Sequence, residues 1–258
     1  MTTKEEIKMS LLLQKRDISE RYKGNLLSIE QDAKTRKGTA FGVLTAILYL
    51  KHAHTSGHNV CPSATEGCIL ACFEDEGLGK RHNVRKARMD KTRFLFRNRP
   101  AFLAQLKEEL ERFERKAKRR NLTPAVRLNG TSDLGWEGFA RDVIESFPSL
   151  TFYDYTKVEQ RMRRFLAGKF PSNYRSLTFS RSESNWPTCL EILGMGGNVA
   201  AVFDKLPGQP LPESYAGYPV IDGDQNDIRF LDPGGVIIGL HLKGHTAKRD
   251  ETGFVIRT

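Results

Sequence analysis

The chain has no apolar run approaching the ~20 residues of a membrane-spanning helix. Near its start, Leu11-Leu12-Leu13 is only three residues long and has Lys8 and Lys15 on either side. This excludes a membrane partner and a secretory leader, and it predicts a cytoplasmic protein. Cysteine is scarce, four in 258 residues, so a disulfide framework is excluded. A chain of this length buries a core without one. The CxxC knuckle of common zinc sites is absent. So is a complete phosphate loop: "EGLGKR" (Glu76 to Arg81) lacks the earlier glycine and the hydroxyl residue after Lys80. Gly77 and Gly79, followed by Lys80, Arg81 and Arg85, retain only the makings of an anion cradle at a helix start. No internal repeat or low-complexity segment stands out, and no Ser/His/Asp arrangement follows from spacing.

What is present is positive charge and a soluble composition. Lys and Arg number 41 against 31 Asp and Glu, a net charge of +10, with 39% hydrophobic and 28% charged residues. Such a balance favours an anionic partner, either nucleic acid or a nucleotide-like small molecule. Part of the charge is a self-paired helical face: Glu108/Arg112, Glu111/Arg115 and Glu114/Lys118 are each four apart with the acid first.

Residues 1–35 read as a charged, partly helical lead-in, and 36–258 as a single α/β domain. "FGVLTAILYL" (Phe41 to Leu50) is strand-like, and helices are predicted over Asn83 to Asn98 and Pro100 to Arg120. Beyond Thr123 the pattern is regular. Strands "PAVRLNG", "LTFYDY", "YRSLTFS" and "NVAAVF" alternate with helices at Trp136 to Phe147, Val158 to Ala167 and Thr188 to Met195, and "YPVID" and "GVIIGLHLKG" close the chain. This alternation predicts a parallel α/β sheet or barrel. Polar residues follow each strand: Asn129, Thr131 and Asp133; Asp154, Thr156 and Lys157; Ser180, Arg181, Glu183 and Asn185; Asp204 and Lys205; Asp222, Asp224 and Asp227; His241, Lys243 and His245. In parallel folds these positions converge on one face.

Cys61, Cys68 and Cys72 fall within twelve residues after the first strand-like run, with His52, His54 and His58 ahead of them. A short helix from Gly67 would put Cys68 and Cys72 one turn apart. Two metal readings are open: zinc held by these cysteines and a histidine (His54, His58 or His82), or an iron–sulfur cluster (4Fe-4S) with one iron left open. Cys189 reads as a core residue. Asp222, Asp224 and Asp227 would suit Mg²⁺ in a nuclease.

Five motifs, "SGHNVCPSATEGCILACF", "VRLNGTSDLGWE", "FYDYTKVEQR", "LTFSRSESN" and "VIDGDQNDIRFLDPGGVIIGLHLKG", resemble the gene product eighty-eight family of tailed-phage proteins from about Lys34 onward. That resemblance implies host cytoplasm but no established activity. The layout is also similar to the radical S-adenosylmethionine fold, a partial (βα)6 barrel with clustered cysteines after its first strand. Two features depart from it: the cysteine spacing is longer, and "NGTSD" stands where a Gly-Gly-Glu segment belongs. This similarity implies Cys61, Cys68 and Cys72 as metal ligands and S-adenosylmethionine as a second cofactor. Asn129, Thr131, Asp133, Ser180, Arg181 and Asn185 would bind it, Lys157, Asp133 and Glu183 would be catalytic, and an electron donor would be a partner. The alternatives are a zinc-stabilised nucleic-acid-binding protein and a Mg²⁺-dependent nuclease.

Overall fold

The segment "VLTAIL" is apolar at every other position and has only Thr45 to interrupt it, and all six residues are buried, as a strand covered on both faces requires. It forms β2 (Val43–Leu48) in a computed structural model that describes residues 21–31, 33–70, 72, 79, 81–243 and 250–258, with the backbone alone at 33 and 34. The other elements are β1 (Leu27–Ile29), α1 (Ala33–Lys37), α2 (Glu66–Leu70), α3 (His82–Arg97), α4 (Arg99–Arg119) and β3 (Thr123–Arg127). They are followed by α5 (Trp136–Phe139), α6 (Arg141–Glu145), β4 (Thr151–Thr156), α7 (Glu159–Leu166), β5 (Tyr174–Ser180), α8 (Trp186–Gly194) and β6 (Asn198–Phe203). The chain closes with β7 (Ser214–Tyr215), β8 (Tyr218–Asp222), β9 (Ile237–His241) and β10 (Val255–Ile256).

The sheet runs β1-β2-β3-β4-β5-β6-β9-β8-β7. Strands β2 to β6, β9 and β8 are parallel to their neighbours, and antiparallel β1 and β7 flank them. The expected parallel α/β architecture is therefore the observed one, in open form: β1 and β7 are its ends, and it is not a closed barrel. Because β2 to β6 are adjacent in chain order, right-handed crossovers place their helices on one face. On that face Phe102, Leu106 and Phe113 of α4, Met162 of α7 and Ile192 of α8 pack against Leu44, Val126, Phe152, Phe179 and Val199 of the sheet.

The opposite face is filled differently. At the N-terminal ends of the strands Val43, Ala125 and Tyr153 close on Ile228, with Phe230 beside them, both from the segment after β8. Toward the C-terminal ends that face is left as a cavity. The two sides of the sheet meet above it, where the Lys37 ammonium hydrogen-bonds the Asp224 carbonyl oxygen.

Three features differ from the sequence expectation. Residues 27–29 of the expected lead-in are a strand of the sheet: Glu109 accepts the Leu26 and Leu27 amides at 2.8 and 2.9 Å, and the Lys91 ammonium caps the Leu26 carbonyl at 2.7 Å. Residues 1–20 lie outside the described residues. The helix expected over Trp136 to Phe147 breaks at Ala140 (φ −122°, ψ 23°) into α5 and α6. With the break Trp136 is wholly buried, and its indole donates to Asn129 at 3.1 Å. Finally, β10 continues the edge of β6 past the end of β5, pairing Val255 with Val202. No described helix is long and apolar enough to cross a membrane.

Candidate functional site: a cavity with cysteines on its rim

The cavity measures about 420 Å³ and collects residues from the C-terminal ends of the strands. Thr131 follows β3, Tyr155 and Lys157 stand at the end of β4, and Ser180 and Arg181 at the end of β5. Asp224 and Asp227 follow β8, and His241 and Lys243 end β9, while Cys68 and Cys72 come from the segment after β2. The convergence expected from residues following successive strands is thus observed for these positions. Five cationic side chains (Lys37, Arg127, Lys157, Arg181 and Lys243) face two carboxylates there. Ala200, Val202, Leu240 and Phe254 make the rest apolar. A partly apolar, net positive pocket suits an anionic organic ligand.

The cysteine segment is tied down by its neighbours. Asn59 accepts the Cys61 amide at 2.9 Å, and Val60 accepts the Asp133 amide at 2.7 Å, so Cys61 lies against the loop after β3, its Sγ 3.8 Å from the Thr131 carbonyl. Glu183 accepts from Thr65 Oγ1 at 2.7 Å and from the Gly67 amide at 3.0 Å, fixing the start of α2. Gly67 is required: a Cβ there would sit 2.4 Å from Thr252 Oγ1 and 2.5 Å from Phe254 Cβ. The helix ends at Leu70, so Cys72 is not on it as expected but in the turn that follows, its amide on the Ile69 carbonyl at 3.2 Å.

Burial, together with the nearby Cys72, Asp133 and Cys68, pushes the Cys61 thiol up to about 12. A thiol so placed becomes a thiolate against a bound cation. Zinc at ~2.3 Å from each sulfur draws its ligands to within about 4 Å of one another. Among the described residues the only group of three metal-ligating side chains with ligand atoms within 4.8 Å of one another is Asp222, Asp224 and His241. The three thiols do not meet that spacing, although Cys72 and Cys68 lie near enough to Cys61 for their charge to act on it. Of the candidate histidines, His58 is stacked on Phe96 with ring centres 4.3 Å apart, and His54 and His82 are exposed.

The Asp222/Asp224/His241 group is internally bound. Asp224 accepts the His241 amide at 2.9 Å, faces His241 Nδ1 at 3.0 Å and pairs with the Lys243 ammonium. Against the pull of burial, these contacts hold its carboxyl below the usual range. Asp227, expected beside Asp222 and Asp224, instead meets Arg127 at 2.9 Å on the cavity floor. Arg127 lies 4.5 Å over the Tyr155 ring and 3.8 Å from Asp154, whose carboxyl burial raises to about 6.

Several expected ligand-binding residues serve behind the wall. Asn129 is 2% exposed, its Oδ1 accepting from Ser132, Leu134 and Trp136. Asp133 accepts from Thr156 (2.8 Å), the Lys157 amide (2.7 Å) and Arg161 (2.7 Å). Asn185 accepts the Ser182 amide at 2.6 Å, and Glu183 holds α2. Thr131, Lys157, Ser180 and Arg181 do line the cavity. Arg127, Lys37 and Phe254 were not expected there. Arg127 carried a signal, a charge inside the apolar strand "PAVRL", whereas Lys37 and Phe254 carried none. Gly77, Lys80 and His245 lie outside the described residues.

Fold and site together define an open parallel α/β protein with a cation-lined pocket at its strand ends and cysteines at the rim. The chain belongs to the Gene product 88 family, which it matches over residues 20–258. No curated protein and no solved structure matches it.

Proposed function

We propose that the protein is an iron–sulfur enzyme of the host cytoplasm, similar to radical S-adenosylmethionine enzymes, acting on an anionic, nucleotide-like or nucleic-acid substrate. The observation that carries the reading is the placement of Cys68 and Cys72 on the wall of a cation-rich cavity, with Cys61 beside them. Cys61, Cys68 and Cys72 would hold a 4Fe-4S cluster with one iron free of protein ligands. Such a cluster would supply single electrons, received from a partner protein, for the reductive cleavage of S-adenosylmethionine into methionine and a 5′-deoxyadenosyl radical.

The chain's own residues bind and orient. The Lys157 ammonium, 5.5 Å from the Phe254 ring and with no ion-pair partner among the described residues, is placed to take a ligand carboxylate or phosphate. Thr131 and Ser180 offer hydroxyls, and Tyr155, Val202 and Leu240 give apolar walls that exclude water. Asp133 and Glu183 are positioning residues: Asp133 holds the Lys157 backbone, and Glu183 holds the helix that carries Cys68. In an anaerobic assay with dithionite, cluster-loaded protein is expected to release methionine from S-adenosylmethionine, and Cys68→Ser to fall to background. Equal release by the two proteins would sink the reading.

A further inference from the structure

Eight Lys and Arg and one acid lie between Arg81 and Arg99, so this short stretch carries seven of the chain's ten net positive charges. It is α3 and its flanks, and the charges there are not spent alike. Lys91 is buried on the Leu26 carbonyl, Arg88 lies over the Tyr49 ring at 5.0 Å, and Lys86 pairs with Asp90 at 2.6 Å. Arg93 and Arg97 are exposed and have no ion-pair partner among the described residues. Arg93 and Arg97, four residues apart, share one helical face over ~16 Å with Lys86 and its partner Asp90. The neighbouring α4 differs, since its cations alternate with Glu108, Glu111 and Glu114.

We infer that the outer face of α3 binds the phosphate backbone of a nucleic-acid strand. A protein or membrane partner needs apolar anchors. The exposed large apolar side chains among the described residues are Phe41, Ile69, Leu70, Met195, Leu206 and Leu231, none of them on α3. A face of regularly spaced cations without apolar anchors fits a polyanion. The other side of α3 is anchored: Arg88 rests on Tyr49, and Tyr49 packs so closely on Gly130 that a Cβ there would come within 2.6 Å. The inference goes beyond the function proposed above, and binding is read without a cluster.

The test is fluorescence anisotropy of a short labelled single-stranded DNA of mixed sequence, titrated with full-length protein at several salt concentrations. R93E/R97E is expected to weaken binding at least about tenfold and to flatten the logarithmic salt slope by ~1.4, two contacts at about 0.7 each. K118E/R119E, an exposed pair on α4 with the same change in net charge, is expected to stay within about twofold of wild type, since phosphate contacts and not net charge set the affinity. Absence of salt-dependent binding, or equal losses in the two charge-reversed variants, overturns the inference.

Discussion

Arg161→Met is expected to destabilise the protein by about 3–5 kcal/mol in urea unfolding, because it leaves buried carboxylates without their counter-charge. The Arg161 guanidinium bonds Glu137 at 3.0 and 2.8 Å and Asp133 at 2.7 Å, and touches Tyr174 at 3.4 Å. Burial opposes its charge, but Tyr174, Glu137 and Asp133 outweigh that and hold it firmly protonated. With Arg161 removed, Glu137 at 2% exposure stands unpaired in the core. The effect extends to the site, since Asp133 also fixes Thr156 and the Lys157 amide. Arg163, two residues on, pairs with Glu159 and Glu191 in solvent. Arg163→Ala should leave the urea midpoint close to that of wild type. Comparable losses in the two variants would mean that the Arg161 network is not a structural centre.

Asp227→Leu should be nearly as costly, about 3 kcal/mol or more, because Arg127 is left charged on the floor of the cavity. Asp154 is a weak substitute: it is 3.8 Å from the guanidinium, and its hydrogen-bonding capacity goes to Asn129 and Tyr174. The double variant Arg127→Met/Asp227→Leu removes both charges and should recover most of the loss, as buried pairs replaced by apolar groups commonly do. Urea denaturation of the single and double variants measures that coupling. Additive losses would show that Asp227 supports the fold through contacts other than Arg127.

Much of the fold was legible because its strands are short apolar runs separated by amphipathic helices: β2, β5, β6, β8 and β9 fall inside the runs read as strands, and β3 and β4 overrun theirs by one residue. The strands that escaped notice, β1, β7 and β10, have two or three residues each, too few for periodicity, and β1 and β10 are held by partners distant in sequence. The site was legible as a set of loops but not as a set of side chains. Nothing local distinguishes Lys157, which faces the cavity, from Asp133, which turns away from it. That choice is made by Arg161 and Thr156, on elements more than twenty residues downstream. Arg127 is the instructive case, since a charge on an otherwise buried strand needs a buried partner. The partner, Asp227, lies one hundred residues on, within a run that reads locally as a turn.

The most direct test of the central claim is iron and acid-labile sulfide content, with an absorption spectrum, on protein purified without oxygen, wild type beside Cys68→Ser. The account predicts about four irons and four sulfides per wild-type chain with a broad band near ~400 nm, and their loss in the variant. Zinc without sulfide, or iron content unchanged by the substitution, would contradict it and leave the cysteines as a structural clip.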